Sequence, residues 1–275
     1  MKNILIPVDF STFSITACKT GVYIAQKTKA TLHLLHVAQA PEDWEKMAVS
    51  QQQRFPEIEG AIVDGEIKLD RFAQNPMFAD LDVSIHIVGG TAYKQIVMFA
   101  EKHKMDLIIM GAHGISESDG LFIGSTAQKV VRIAPCPVLS VKKNFKPVSL
   151  KKVLFASDFE EEGLKDSFKS IKNFASGIDA KIDYAFVNTP SRFIDSTTIE
   201  KRMKNFASLP KNGKPSIFIH NDYSKEEGIL NVSKKMKANV LALVTHTRKG
   251  KSNYLLGVTE TLLFHSEIPV LSQVM

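Results

Sequence analysis

Short aliphatic runs alternate along the chain with longer stretches whose apolar residues recur every three or four positions. ILIPV, TLHLLHVA, LDVSIHIV, DLIIM and PVLSV read as five strands in the first 141 residues. Ser11 or Thr12 can cap a helix that runs to about Lys29, with Ile15, Cys18, Val22 and Ala25 on one face. Residues 41–57, with Trp44 and two prolines, read as irregular. A helix follows from about Ile58 to Phe72, Gly89-Gly90 breaks the third strand, and Thr91 can cap AYKQIVMFAEKHK. A last helix covers 125–134 before PVLSV.

The same order is then written again. KNILIPVDFS at residue 2 returns as KKVLFASDFE at 151, so Asp9 and Asp158 each close a strand just before a phenylalanine. CPVLSV at 136–141 returns as IPVLSQ at 268–273. Between the copies, KKNFKPVSLK is polar, basic and proline-containing, as a linker is. Repeats this long are whole domains, here 1–146 and 147–275. In the second, VLFAS, KIDYAFV, SIFIH, NVLALV and PVLSQ alternate with helices at 161–176, 198–208, 225–237 and 258–266, and Ser224-x-x-Glu227 is a capping box. Buried strands alternating with amphipathic helices predict an α/β fold. Each domain is then a doubly wound, open, five-stranded and mostly parallel sheet with helices on both faces.

Composition narrows the function. No apolar run reaches the ~18 residues of a spanning helix, so no membrane partner is expected. Two cysteines, Cys18 and Cys136, make no disulfide framework, which fits a reducing cytoplasm. The net charge of +6 is uneven: residues 1–146 carry 16 basic and 15 acidic side chains, residues 147–275 carry 19 and 14. The lysines of the second half are scattered along helix faces, and no aromatic-interleaved basic motif accompanies them, which argues against nucleic acid.

The chemistry concentrates in GAHGISESDGLFIGST, residues 111–126, between a strand and a helix. In an open α/β sheet, ligands sit beyond the carboxyl ends of strands where the winding reverses, and helix N-termini there attract anions. Gly111, Gly114 and Gly124 let backbone approach a ligand, and Ser125 and Thr126 add hydroxyls, so a phosphate needs no lysine there. Neither the phosphate-loop pattern nor a glycine-rich first turn nor a G-x-S-x-G elbow is present. His113, with Asp9 and Ser125, permits a triad reading, but capping or phosphate donation explains a serine at a helix start. His33 and His36 lie on a strand and read as structural, and Cys136 as a packed thiol.

The spacing Gly111-x2-Gly114-x9-Gly124-Ser125, with QKVVRIAP, CPVLSV and KNILIPVDFS, resembles the universal stress protein family in tandem form. The resemblance implies a five-stranded parallel sheet per domain and an adenine nucleotide, ATP or AMP, as ligand. Matched by position, Pro7 and Val8 line the adenine slot, Val37 bounds it and Asp9 meets the ribose. Met110 ends the strand before Gly111, and Gly111, His113, Gly114, Gly124, Ser125 and Thr126 surround the phosphates. Glu117 and Asp119 of the loop either face solvent, accompany Mg2+, or favour a less charged ligand such as AMP. Family domains pair through their last strands, so PVLSV and PVLSQ are expected to join edge to edge. The second half departs from the pattern. Val244 stands for Gly111, Thr247 for Gly114 and Val258 for Ser125, while Asp158, His246, Gly257 and Thr259 survive, and Arg248, Lys249 and Lys251 replace the loop acids. Added Cβ atoms block close approach and make positive φ costly, which predicts weak or no nucleotide binding there.

The function this implies is a nucleotide-binding stress-response regulator without efficient turnover. A slow ATPase and a protein-interaction module without nucleotide are the alternatives. The implied partners are the nucleotide, the chain's own second domain, a second copy in a homodimer, and a regulated protein.

Overall fold

The computed structural model describes residues 1–112, 124–147, 150–160, 163–206, 215–245 and 257–275. In the first half, β1 (Asn3–Pro7), β2 (Thr31–Gln39), β3 (Val83–Gly90), β4 (Leu107–Gly111) and β5 (Val138–Val141) alternate with helices. These are α1 (Thr12–Thr28), the short α2 (Val49–Gln52), α3 (Pro56–Ala73), α4 (Ala92–Lys102) and α5 (Ser125–Ile133). The second half repeats the order with β6 (Lys152–Ala156), β7 (Lys181–Asn188), β8 (Ile217–Asn221), β9 (Val240–Thr245) and β10 (Val270–Val274). Its helices are α6 (Leu164–Gly177), α7 (Ser196–Phe206), α8 (Lys225–Lys235) and α9 (Val258–His265).

All ten strands form one sheet in the order β3-β2-β1-β4-β5-β10-β9-β6-β7-β8. Every pairing is parallel except the central one, where β5 and β10 run antiparallel with Leu139 opposite Leu271. The last strands therefore meet edge to edge, and each covers the other's open edge. Both leucines are fully buried, and each such burial stabilises by about 1.5–3 kcal/mol. One core lies between the sheet and α1, α3, α6 and α7, the other between the sheet and α4, α5, α8 and α9. Strands buried on both faces explain why ILIP and LIIMG are aliphatic without alternation.

Local chemistry sets the ends. Ser11 caps α1 by accepting from the Ser14 N–H, and Lys29 stops it in the left-handed conformation with φ 57°. The core stripe of α1 is Ala17, Cys18, Gly21, Ile24 and Ala25, so Ile15 and Val22 are only half-buried, contrary to expectation. Ser224 accepts from the Glu227 N–H at the start of α8. Two other expectations are corrected. The 41–57 segment holds a 3-10 turn at Trp44–Lys46 and α2, and β3 continues through Gly89-Gly90, which pair with Ala38 and Gln39. Trp44 is buried directly against Gly89, where any Cβ would collide with its indole, and Glu45 accepts from the Gly89 N–H at 2.8 Å. The glycine gives room to a tryptophan rather than ending a strand.

Candidate functional site

In the first half the chain winds from β1 outward through β2 to β3, then returns to place β4 on the other side of β1. The reversal opens a crevice beyond the carboxyl ends of β1 and β4. A cavity of about 370 Å³ lies there. Pro7, Val8 and Asp9 from the end of β1, Val37 from β2, Met110 and Gly111 from β4, and Gly124, Ser125 and Thr126 from the start of α5 all line it. His113, Gly114 and the loop acids Glu117 and Asp119 lie outside the described residues.

The walls are held from behind. The Val8 N–H donates to the Leu35 carbonyl at 2.8 Å, and the Val8 carbonyl lies 2.7 Å from His36 Nδ1. His36 is thus structural, as its strand position suggests. Asp9 lines the cavity, and its Oδ1 accepts from the Ser11 N–H at 3.0 Å. The next residue, Phe10, has φ 63°, and Phe159 repeats this with φ 58° after Asp158. A left-handed non-glycine residue costs about 1–2 kcal/mol, so the same turn kept twice after the same aspartate marks a position the fold over-determines. Phe10 is held by edge-on packing against Phe72, which in turn meets Phe78, and by its contact with His36.

The anion end is α5. Its N-cap is Gly124, not Ser125; among the described residues no side chain caps its first turn, which holds no acidic residue. The Gly124 N–H donates to the Ala112 carbonyl at 3.0 Å, which ties the turn to the end of β4, and Ser125, Thr126 and Ala127 line the cavity. Asp9 is the one charged side chain among the described lining residues. A helix start without a side-chain cap, beside two hydroxyls, is suited to an oxyanion. Gly124 has φ −54° and Gly111 ends an ordinary strand, so neither is needed for a left-handed backbone. Val244, which replaces Gly111, also sits in a strand, lines the second cavity and packs against the core shared with α6 and α7.

Sequence reasoning missed Ser14, Leu35, Gln39, Ala92, Ile96 and Ala127, which complete the lining. Ala92 opens α4 at the carboxyl end of β3, a placement that the switch-point rule alone would have suggested. A second cavity, about 310 Å³, opens at the equivalent place in the other half, beside Asp158, Val244, Gly257, Val258 and Thr259. His246, Thr247, Arg248, Lys249 and Lys251 lie outside the described residues. Here α9 carries Glu260 in its first turn where α5 has Ala127, and Glu260 Oε1 lies 2.6 Å from Arg132 Nε of α5. One helix therefore contributes its first turn to one cavity and its last turn to the other. Among the described residues no group of three or more histidine, cysteine or acidic side chains is arranged to hold a metal, and no helix is long and apolar enough to cross a membrane. The cysteines are free and buried; burial pushes the Cys136 thiol up to about 12 and the Cys18 thiol higher still.

Comparison with known proteins agrees with this architecture. The model of the universal stress protein family matches residues 1–142. A universal stress protein of Methanocaldococcus jannaschii is 32% identical over 152 residues, 52% of this chain and 82% of its own. The crystal structure of a universal stress protein from Archaeoglobus fulgidus covers 98% of this chain and 97% of its own with a TM-score of 0.74 at 17% identity. A functionally unknown protein from Pseudomonas aeruginosa superposes over 100% of this chain and 92% of its own, with a TM-score of 0.70 at 20% identity. Both structures share the fold of the two halves together.

Proposed function

Since the chain belongs to the universal stress protein family, we propose that it is a nucleotide-binding regulator holding one adenine nucleotide, ATP or AMP, in the cavity between β1 and β4. The observation that carries this reading is the start of α5, with glycine at its N-cap and no acidic residue in its first turn, which lines the same cavity as an apolar slot at the end of β1. Val8, Val37 and Met110 suit the flat face of a base, the Asp9 carboxylate suits a ribose hydroxyl, and the first turn of α5 with Ser125 and Thr126 suits the phosphates. Mg2+ would accompany a triphosphate. The unit that binds is residues 1–146, and residues 147–275 form its built-in partner. Two free, buried thiols are consistent with work in the cytoplasm. Efficient turnover is not part of the reading, because Asp9, the sole carboxylate of the described lining, is assigned to the ribose.

The test is calorimetric titration of the full chain with AMP, ADP and ATP, with and without Mg2+. Saturable binding is expected, weakened about tenfold by Thr126→Val and by Asp9→Ala, one charge-assisted or polar contact each. Hydrolysis should stay at background. Binding that ignores both substitutions, or turnover that both abolish, would refute the proposal.

A further inference from the structure

The second cavity differs from the first in its charges. Its floor is apolar, formed by the buried side chains Ala156, Val187, Ile229 and Leu243. Five charged side chains stand around that floor: Arg132, Arg192, Lys225, Asp158 and Glu260. Two pairs cancel. Arg132 bonds Glu260 at 2.6 Å, and Arg192 lies 3.9 Å from Asp158. Lys225, the first residue of α8, has no ion pair among the described residues. The described wall therefore carries one positive charge in excess.

The same wall offers a phosphate less than the first cavity does. In the first cavity an anion can take up the open start of α5. In the second, the start of α9 already has an anion of its own, since the Glu260 side chain is only 6% exposed and lies in the helix's first turn. A phosphate placed there would sit beside a buried carboxylate, and Val258 offers no hydroxyl in Ser125's place. Among the described residues, the lining cation without an ion pair is Lys225, and the Arg192 guanidinium of the same lining is 68% exposed. The volume is at the small end of ligand cavities.

We infer that this second cavity is a binding site for a small organic monocarboxylate, its apolar body on the Ala156–Leu243 floor and its carboxylate on Lys225. The site spans both halves of the chain, because Arg132 of α5 neutralises Glu260 and seals the end that would otherwise repel any anion. It stands independently of nucleotide binding in the first cavity.

The test uses 4-fluorobenzoate as probe and fluorine NMR line broadening on the full chain. Its neutral amide, 4-fluorobenzamide, is the control, and AMP is the competitor. The carboxylate should broaden and saturate in the millimolar range or below, and the amide should bind about tenfold more weakly, as should the carboxylate to Lys225→Met. Lys225 is partly exposed at a helix start, so this variant keeps the fold. AMP at saturating concentration should leave the probe in place. Four results would each overturn the inference: no saturable broadening, equal binding of the amide, indifference to Lys225→Met, or displacement by AMP. The last would make the second cavity a nucleotide site.

Discussion

The ion pair between Arg132 and Glu260 joins the two halves across 128 positions of sequence. Its removal gives a direct reading of how they depend on each other. The Glu260 side chain is almost fully buried, while that of Arg132 is about one third exposed (6% and 32%). Two unit charges ~4 Å apart attract by about 4 kcal/mol at an effective dielectric of 20, and the exposed side of Arg132 screens part of this. Losing one partner of a fully buried pair costs about 3–5 kcal/mol, so Arg132→Met should cost about 2–3 kcal/mol here. For a chain of this size that is a fall in melting temperature of roughly 4–12 °C. The second substitution distinguishes charge from packing. In Arg132→Met with Glu260→Met, no carboxylate is left unpaired in the interior, and most of the loss should return. Urea melts followed by far-UV dichroism and by Trp44 fluorescence give the energies. The tryptophan lies in the first half, so coincidence of the two signals reports whether the halves unfold together. A single substitution costing under about 0.5 kcal/mol, or a double one no better than the single, would refute the view that this pair is a buried electrostatic seam.

Three further outcomes follow from the same structure. His33 Nδ1 lies 3.1 Å from His86 Nε2, and burial and mutual repulsion within the His33–His86–His103 group lower the pKa of His33 and of His86. Folding therefore favours their neutral forms. Their contribution is present above the unfolded histidine value near ~6.5 and is lost as pH falls below it, so melting temperature should drop between pH 7.5 and 5, less so in His86→Gln. Both thiols should resist a disulfide reagent in the native chain and react at once in denaturant, since burial holds each in the protonated form. Native labelling within minutes would contradict that placement. Finally, Ala127→Glu would put into the first cavity the carboxylate that α9 carries as Glu260, without an arginine to answer it. Nucleotide affinity, read by calorimetry, should fall at least tenfold in a variant whose melting shows it folded, about 1.4 kcal/mol. Unchanged affinity would show that the start of α5 does not meet the phosphates.

Much of this molecule can be read before any coordinate is known, for a physical reason. Strands buried on both faces must be continuously apolar, and a duplicated unit shows its joints twice, as Asp9 with Asp158 and PVLSV with PVLSQ. The cavity at the first reversal of winding follows from strand order, which the alternation of elements nearly dictates. What stayed hidden depends on distant contacts. Gly89 looks like a break because its neighbour Trp44 is 45 positions away in sequence and touches it only in the fold. Glu260 looks like an ordinary helix acid until Arg132 arrives from the other half. The charge inversion between the two loops was plain in sequence, but the charges that distinguish the cavities' described walls lie on α5, α8, α9 and the segment after β7 instead.

The most direct measurement of the central claim is native mass spectrometry of the full chain, purified without added nucleotide and then titrated with AMP and with ATP plus Mg2+. The account predicts saturation at one adenine nucleotide per chain, lost in Ala127→Glu and retained in Lys225→Met. No bound nucleotide at saturating concentration, or two per chain, would contradict it.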